Sequence, residues 1–189
     1  MKTIKGPALF LAQFAGDAAR IRELVASELG VLPEEIVFTR GATEALQALI
    51  GGYRALGPGD SVLYADLDYD AMQSAMRWLA QRRGVTVDRI DLPEPATRES
   101  MLEAYSRALQ ANPKIRLLLL THLSHRTGMV MPVAEIAALA RARNVDEILD
   151  AAHAWGQISF NLASLGVDFV GLNAHKWIGA PLGVGVMWV

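Results

Sequence analysis

The sequence predicts an α/β fold of three layers, α/β/α, around a mainly parallel mixed sheet. Three observations lead there. Short apolar runs alternate with longer stretches of helical periodicity, the pattern of strands joined by helical crossovers. Most of the runs are continuous rather than alternating, as in strands buried on both faces. The 189 residues, 52% hydrophobic, suffice for one sizeable domain, and no internal repeat, linker or low-complexity segment divides them.

A helix over Asp17–Leu29 places Ile21, Leu24, Val25 and Leu29 near one face and stops at Gly30. Ile36–Thr39 reads as the first strand, and the residues from Arg40 open a second helix. LGPGD at Leu56–Asp60 is a turn, and Ser61–Ala65 is the strand after it. Ala71–Arg83 is helical and stops at Gly84, with a strand at Val85–Ile90. Thr97–Ala111 has an acidic first turn and stops at Asn112-Pro113. Ile115–Thr121 is an apolar strand, and Pro132 starts a helix over Val133–Arg143. Ile148–Leu149, Phe169–Leu172 and Gly185–Val189 supply the remaining strands.

Composition excludes several functions. The formal net charge is -2, so nothing calls for nucleic acid or an acidic membrane as partner. With no cysteine, disulfides, thiolate metal sites and a cysteine nucleophile are excluded within the chain. The apolar run near the N-terminus is too short to span a bilayer and lacks a small-residue cleavage signal. The expectation is a soluble, cytoplasmic protein.

In such sheets ligands bind beyond the carboxyl ends of the strands. The segments leaving strands are Arg40–Glu44, Asp66–Ala71, His122–Gly128, Asp150–His153 and Asn173–Lys176. They hold all four histidines and Lys176, the one lysine beyond Lys114. Lys2 and Lys5 lie in the N-terminal segment, and Lys114 starts a strand, the wrong end for a ligand.

Each segment has a functional and a plainer reading. At Arg40-Gly41-Ala42-Thr43-Glu44, exposed amides and the Thr43 hydroxyl suit a phosphate against the helix dipole; a Thr helix cap is the alternative. Neither GxGxxG nor GxxxxGK[ST] is present, which speaks against a doubly wound nucleotide-binding module. Asp150 would project from a strand end towards a site, or simply cap a helix. Lys176, between apolar residues, would be partly desolvated and so available as a nucleophile; a surface lysine with its stem on Trp177 is the alternative. Tyr69 could stack on a flat ring or be an ordinary half-buried tyrosine. His122 and His125, three apart, have no further ligand at metal spacing, so no metal site is expected.

Taken together, the segments resemble the class V aminotransferases, a branch of the fold-type-I pyridoxal-phosphate enzymes that includes cysteine desulfurases and isopenicillin-N-epimerase-like proteins. The resemblance covers about residues 18 to 189. Four motifs carry it in order: TRGATEAL (Thr39–Leu46), HRTGMVMPV (His125–Val133), DAAHAWGQ (Asp150–Gln157) and DFVGLNAHKWIGAPLGVGVMWV (Asp168–Val189).

The resemblance implies pyridoxal 5'-phosphate as cofactor, an amino-acid substrate and a homodimer. It implies that Lys176 holds the cofactor as a Schiff base and is the catalytic residue. It further implies that Asp150 pairs with the pyridine nitrogen and that His153 lies near the ring hydroxyl. Thr43, the Ala42 amide, Asn173 and His175 would hold the phosphate. Tyr69 stands where many relatives carry a ring-stacking group, and His125 where desulfurases have an Asn. With HKW and APxG, these choices point to the epimerase-like subgroup. Family members are about twice as long, with a C-terminal domain after the lysine segment. The expectation is therefore a single cofactor-binding large domain over residues 1–189, with an abbreviated segment over 1–17 and no small domain. A second reading is a non-catalytic cofactor-binding or assembly domain.

Overall fold

The computed structural model describes residues 7–189, with side chains described from residue 13; Lys2 and Lys5 lie outside these. The helices are α1 (Pro7–Leu29), α2 (Ala42–Gly52), α3 (Asp70–Arg83), α4 (Arg98–Ala111), α5 (Val133–Arg141) and the short α6 (Leu162–Leu165). The strands are β1 (Ile36–Thr39), β2 (Ser61–Ala65), β3 (Thr86–Ile90), β4 (Ile115–Thr121), β5 (Asp146–Ala151), β6 (Phe169–Asn173) and β7 (Gly185–Trp188).

The strands form one seven-stranded sheet in the order β1-β7-β6-β5-β4-β2-β3. β2 through β6 pair in parallel, while β7 is antiparallel to both its neighbours, β6 and β1. Only β7 is therefore reversed, and β5 occupies the middle of the sheet. The carboxyl ends of β1, β4, β5 and β6 consequently share one edge.

Side-chain alternation divides the core between the two faces. Leu63 and Ala65 of β2 and Leu118 and Leu120 of β4 pack with α1, α4 and α5. Val62 and Tyr64, with Leu117 and Leu119, pack with α2 and α3. Ile115 lies with the first set despite its odd number. A register shift between Ser61 and Val62 pairs them with Ile115 and Leu117, and the extra residue resets the alternation. On α3, Met72, Met76 and Leu79 repeat at helical spacing and are fully buried. Each such side chain contributes about 1.5–3 kcal/mol of burial.

The expected elements are present, most with bounds shifted by one or two residues, and two differ more. β5 is longer than Ile148–Leu149 because Asp146 and Glu147 pair with Leu117 and Leu118 of β4. The first helix begins at Pro7 rather than Asp17. Its inward stripe is also narrower than the periodicity implied: Ala26 and Leu29 are buried and Val25 packs on them, while Ile21 and Leu24 are exposed. Arg22 fills the position beside that stripe. Its guanidinium lies over the Phe38 ring, 5.5 Å from the centroid, and donates to the Ile36 carbonyl. Among the described residues, no helix is long and apolar enough to cross a membrane.

Candidate active site

The shared edge opens into a cleft of about 580 Å³, lined by residues from every segment singled out in the sequence. The start of α2, the ends of β4, β5 and β6, and Tyr69, His125, His153 and Lys176 line it.

Glycines bring α2 down to this edge. A Cβ on Gly171 of β6 would meet the Leu46 side chain at 2.6 Å, and one on Gly185 would stand 2.4 Å from the Gly41 Cα. Both contacts are closer than real Cβ atoms come, so only glycine lets the helix lie this close to the sheet. The first turn of α2 then faces the cleft. The Ala45 amide starts the helical ladder on the Gly41 carbonyl, at 3.1 Å, so the earlier amides lack intrahelical acceptors.

The Ala42 amide is already used: it donates to Asn173 Oδ1 at 2.7 Å. An anion at this helix end would meet the Thr43 and Glu44 amides and the Thr43 hydroxyl instead. Glu44 itself turns back, accepting from the Arg40 amide at 2.6 Å and from its guanidinium. That pairing draws its negative charge away from the anion position.

Asp150 sits near the end of the central strand and is 5% exposed. Its Oδ1 accepts from the Ala152 amide at 2.9 Å, which fixes the carboxyl plane. Burial raises its pKa above the usual aspartate range; the Ala152 hydrogen bond and the charge of Lys176 act the other way. A cation in the cleft would therefore find a carboxyl with no buried counter-charge of its own.

Lys176 Nζ lies 2.8 Å from His153 Nε2, and Trp177 Nε1 donates to His153 Nδ1 at 3.3 Å. Desolvation lowers the Lys176 pKa, opposed by the Asp150 charge, although the side chain remains open to solvent. Desolvation also lowers the His153 pKa, with Lys176 and His125 adding to the effect. His175 Nδ1 lies 3.1 Å from the Val184 carbonyl. A carbonyl only accepts, so this nitrogen carries the proton and Nε2 faces elsewhere.

Tyr69 and His125 form the open side. Tyr69 is 41% exposed and meets His125 edge-on, with ring centroids 5.3 Å apart. His125 in turn stacks near His153 at 6.2 Å. His122, by contrast, does not reach the cleft. It is 4% exposed and packs on the Phe160 ring, and burial pushes its pKa down to about 4. Three of the four histidines thus line the site, and the pair three apart in sequence diverges.

Sequence reasoning passed over Asp68 and Thr121. The buried Asp68 accepts from the Thr121 hydroxyl at 2.6 Å and from the Ala65 amide at 2.7 Å, and its carbonyl accepts from Gln73 Nε2. These bonds fix the turn that carries Tyr69. Burial pushes the Asp68 pKa up to about 7, against these side-chain hydrogen bonds. The available signal was position: Thr121 ends an apolar strand, and Asp68 lies in a segment leaving one.

The chain matches the family model "Aminotransferase class-V" over residues 8–189. It is 31% identical to an isopenicillin N epimerase of Streptomyces clavuligerus over 166 residues, 88% of this chain and 41% of that protein. A probable cysteine desulfurase of Pseudomonas aeruginosa is 33% identical over 157 residues, 82% of this chain and 38% of that protein. Among solved structures, a cystine C-S lyase, C-DES, complexed with its reaction product cysteine persulfide, superposes with a TM-score of 0.86 at 27% identity. It covers 94% of this chain and 47% of that chain. A lysine-to-alanine mutant of C-DES, with glycine covalently linked to the PLP cofactor, gives the same TM-score at 26% identity and the same coverages. The chain spans about two-fifths of the length of these curated relatives.

Proposed function

The chain belongs to the aminotransferase class-V family, and on that premise we propose that its cleft takes pyridoxal 5'-phosphate and acts on an amino acid, with Lys176 as the covalent anchor. One observation carries this reading: Lys176, Asp150 and the first turn of α2 converge on one cleft from the carboxyl ends of different strands.

The residues present suit that group. The cleft volume is of the size that holds a small cofactor. The amides at the start of α2 and the Thr43 hydroxyl are donors for a phosphate, favoured by the helix dipole. Asn173 Nδ2 is a further donor, because its Oδ1 is held by Ala42. Since the Val184 carbonyl takes the Nδ1 proton of His175, its Nε2 can donate to phosphate only as the imidazolium. Asp150, buried and fixed in orientation, would hold a proton on the ring nitrogen. Tyr69 and His125 would bound the ring's open face.

The cofactor, when bound, supplies an electron sink for a carbanion at the substrate Cα. Lys176 Nζ, as a free amine beside the substrate Cα, would be the base that takes or returns the Cα proton. His153 stands beside it and limits where it can point. The reaction is of the epimerase or lyase type, supported by the likeness to an isopenicillin N epimerase and to a cystine C-S lyase.

The test is borohydride reduction at saturating pyridoxal phosphate, followed by peptide mapping. The cofactor should be fixed at Lys176 and should not be trapped in Lys176→Ala. Fixation at Lys114, or at no lysine, would overturn the reading.

A further inference from the structure

The hydrogen bonds around His153 can be assigned one way only. Trp177 Nε1–H is a donor and nothing else. It lies 3.3 Å from His153 Nδ1, so Nδ1 must carry a lone pair. A neutral imidazole with a bare Nδ1 has its proton on Nε2. Nε2 is 2.8 Å from Lys176 Nζ. The Nε2–H therefore donates to Nζ, which must accept. An ammonium has three donors and no acceptor, whereas a neutral amine has a lone pair. In the opposite arrangement, an ammonium would donate to Nε2 and the imidazole proton would move to Nδ1. It would then point at the Trp177 N–H, donor against donor.

We propose that Trp177 is a positioning residue that selects the His153 tautomer and, through it, holds Lys176 as the neutral amine that attacks a carbonyl. The Trp177 backbone is itself closely docked. Gly156 follows the His153 turn with φ +88, and a Cβ there would stand 2.9 Å from the Trp177 carbonyl carbon. Only glycine lets the two segments dock this closely, which brings the indole and the His153 ring to 6.2 Å between centroids. Among the described residues, Asp150 from β5, His153 from the turn beyond it and His125 from the loop after β4 interact with the amine. Asp150 favours the ammonium. Burial, first, lowers the pKa of both imidazoles.

This inference rests on the cofactor reading only for its purpose; the tautomer can be measured without cofactor. In the cofactor-free chain labelled with 15N-histidine, long-range proton–nitrogen correlation should show His153 protonated at Nε2 and bare at Nδ1. Trp177→Phe keeps an aromatic ring at a position already 51% exposed but removes the donor. It should populate the Nδ1–H tautomer. It should also raise the pH midpoint for Lys176 acylation by acetic anhydride by about one unit, the scale of one lost hydrogen bond. Wild-type His153 protonated at Nδ1, or an unchanged tautomer and midpoint in Trp177→Phe, would overturn the inference. Borohydride trapping in both proteins separates the two claims. Failed trapping in the wild type ends the cofactor reading, while an unexpected tautomer with intact trapping ends only this one.

Discussion

Asn173 Oδ1 accepts the amide hydrogen of Ala42 at 2.7 Å, joining the end of β6 to the first turn of α2 across 131 positions of sequence. Asn173→Ala should leave the buried Ala42 amide unpaired and cost about 1–3 kcal/mol in urea unfolding. Asn173→Asp keeps the acceptor but brings a negative charge to the anion position. Its unfolding free energy should fall less than that of Asn173→Ala, while pyridoxal-phosphate affinity, read by fluorescence titration, should fall more. Equal affinity in the wild type and Asn173→Asp would place the phosphate elsewhere.

Asp150→Asn separates stability from chemistry. Burial raises the Asp150 pKa, so its ionisation opposes folding and its cost grows as pH rises through the folded value. The cofactor-free variant should melt no lower than the wild type at pH 7. Turnover of an amino acid that the wild type accepts should drop by roughly a hundredfold, the scale of losing one preorganised charge contact. A variant that melts far lower but turns over normally would assign Asp150 a structural role.

Gly185→Ala tests the close approach of α2. The new Cβ would meet Gly41 backbone atoms at 2.4–2.7 Å, and no side-chain rotation can relieve that. The expected cost is about 1–3 kcal/mol of overpacking, visible as a lower Tm. Displacing Gly41 also moves the Thr43 and Glu44 amides, so cofactor affinity should weaken in the same protein. Gly52→Ala, where an added Cβ meets nothing within 4 Å, is the control and should leave affinity unchanged.

Glu147 governs a pH dependence far from the cleft. It is 1% exposed, and its Oε1 has no hydrogen-bond partner. Burial first, then the Asp168 charge, pushes its pKa up to about 8. A carboxyl with a raised folded pKa favours folding fully below its unfolded value and loses that advantage as pH rises through the folded one. The difference in unfolding free energy between Glu147→Gln and wild type should therefore grow from pH 5 to pH 8, in favour of the variant. A flat difference would mean that Glu147 titrates normally.

Self-association into a homodimer is the remaining expectation. Trp177, Ile178 and Leu182, at 51%, 45% and 90% exposure, follow the anchor lysine closely and leave apolar surface uncovered beside the cleft. Light scattering on the cofactor-loaded chain should give twice the 20.5 kDa chain mass; a monomer at high micromolar concentration refutes the expectation.

The sequence by itself determined the element order, most strand bounds, and the segments that meet at the cleft. Apolar runs and stop signals such as Gly30, Gly84 and Asn112-Pro113 are local, and local pattern is what a linear reading detects. Strand ends then pointed to Asp150 and Lys176, because a mainly parallel sheet collects carboxyl ends on one edge. Tertiary structure alone decided which atoms meet there. Ile21 and Leu24 have the periodicity of a buried face yet are exposed, because α1 presents only a narrow stripe to the sheet. His122 and His125 are three apart yet part ways, because one follows β4 into the core and the other rides an outward turn. The Ala42 amide is taken by Asn173, and Trp177 reads His153, through contacts between segments far apart along the chain. Hydrogen-bond partners of that kind depend on distances of a few tenths of an ångström, set by where glycines 171, 185 and 156 allow backbones to approach, and no spacing along the chain encodes them.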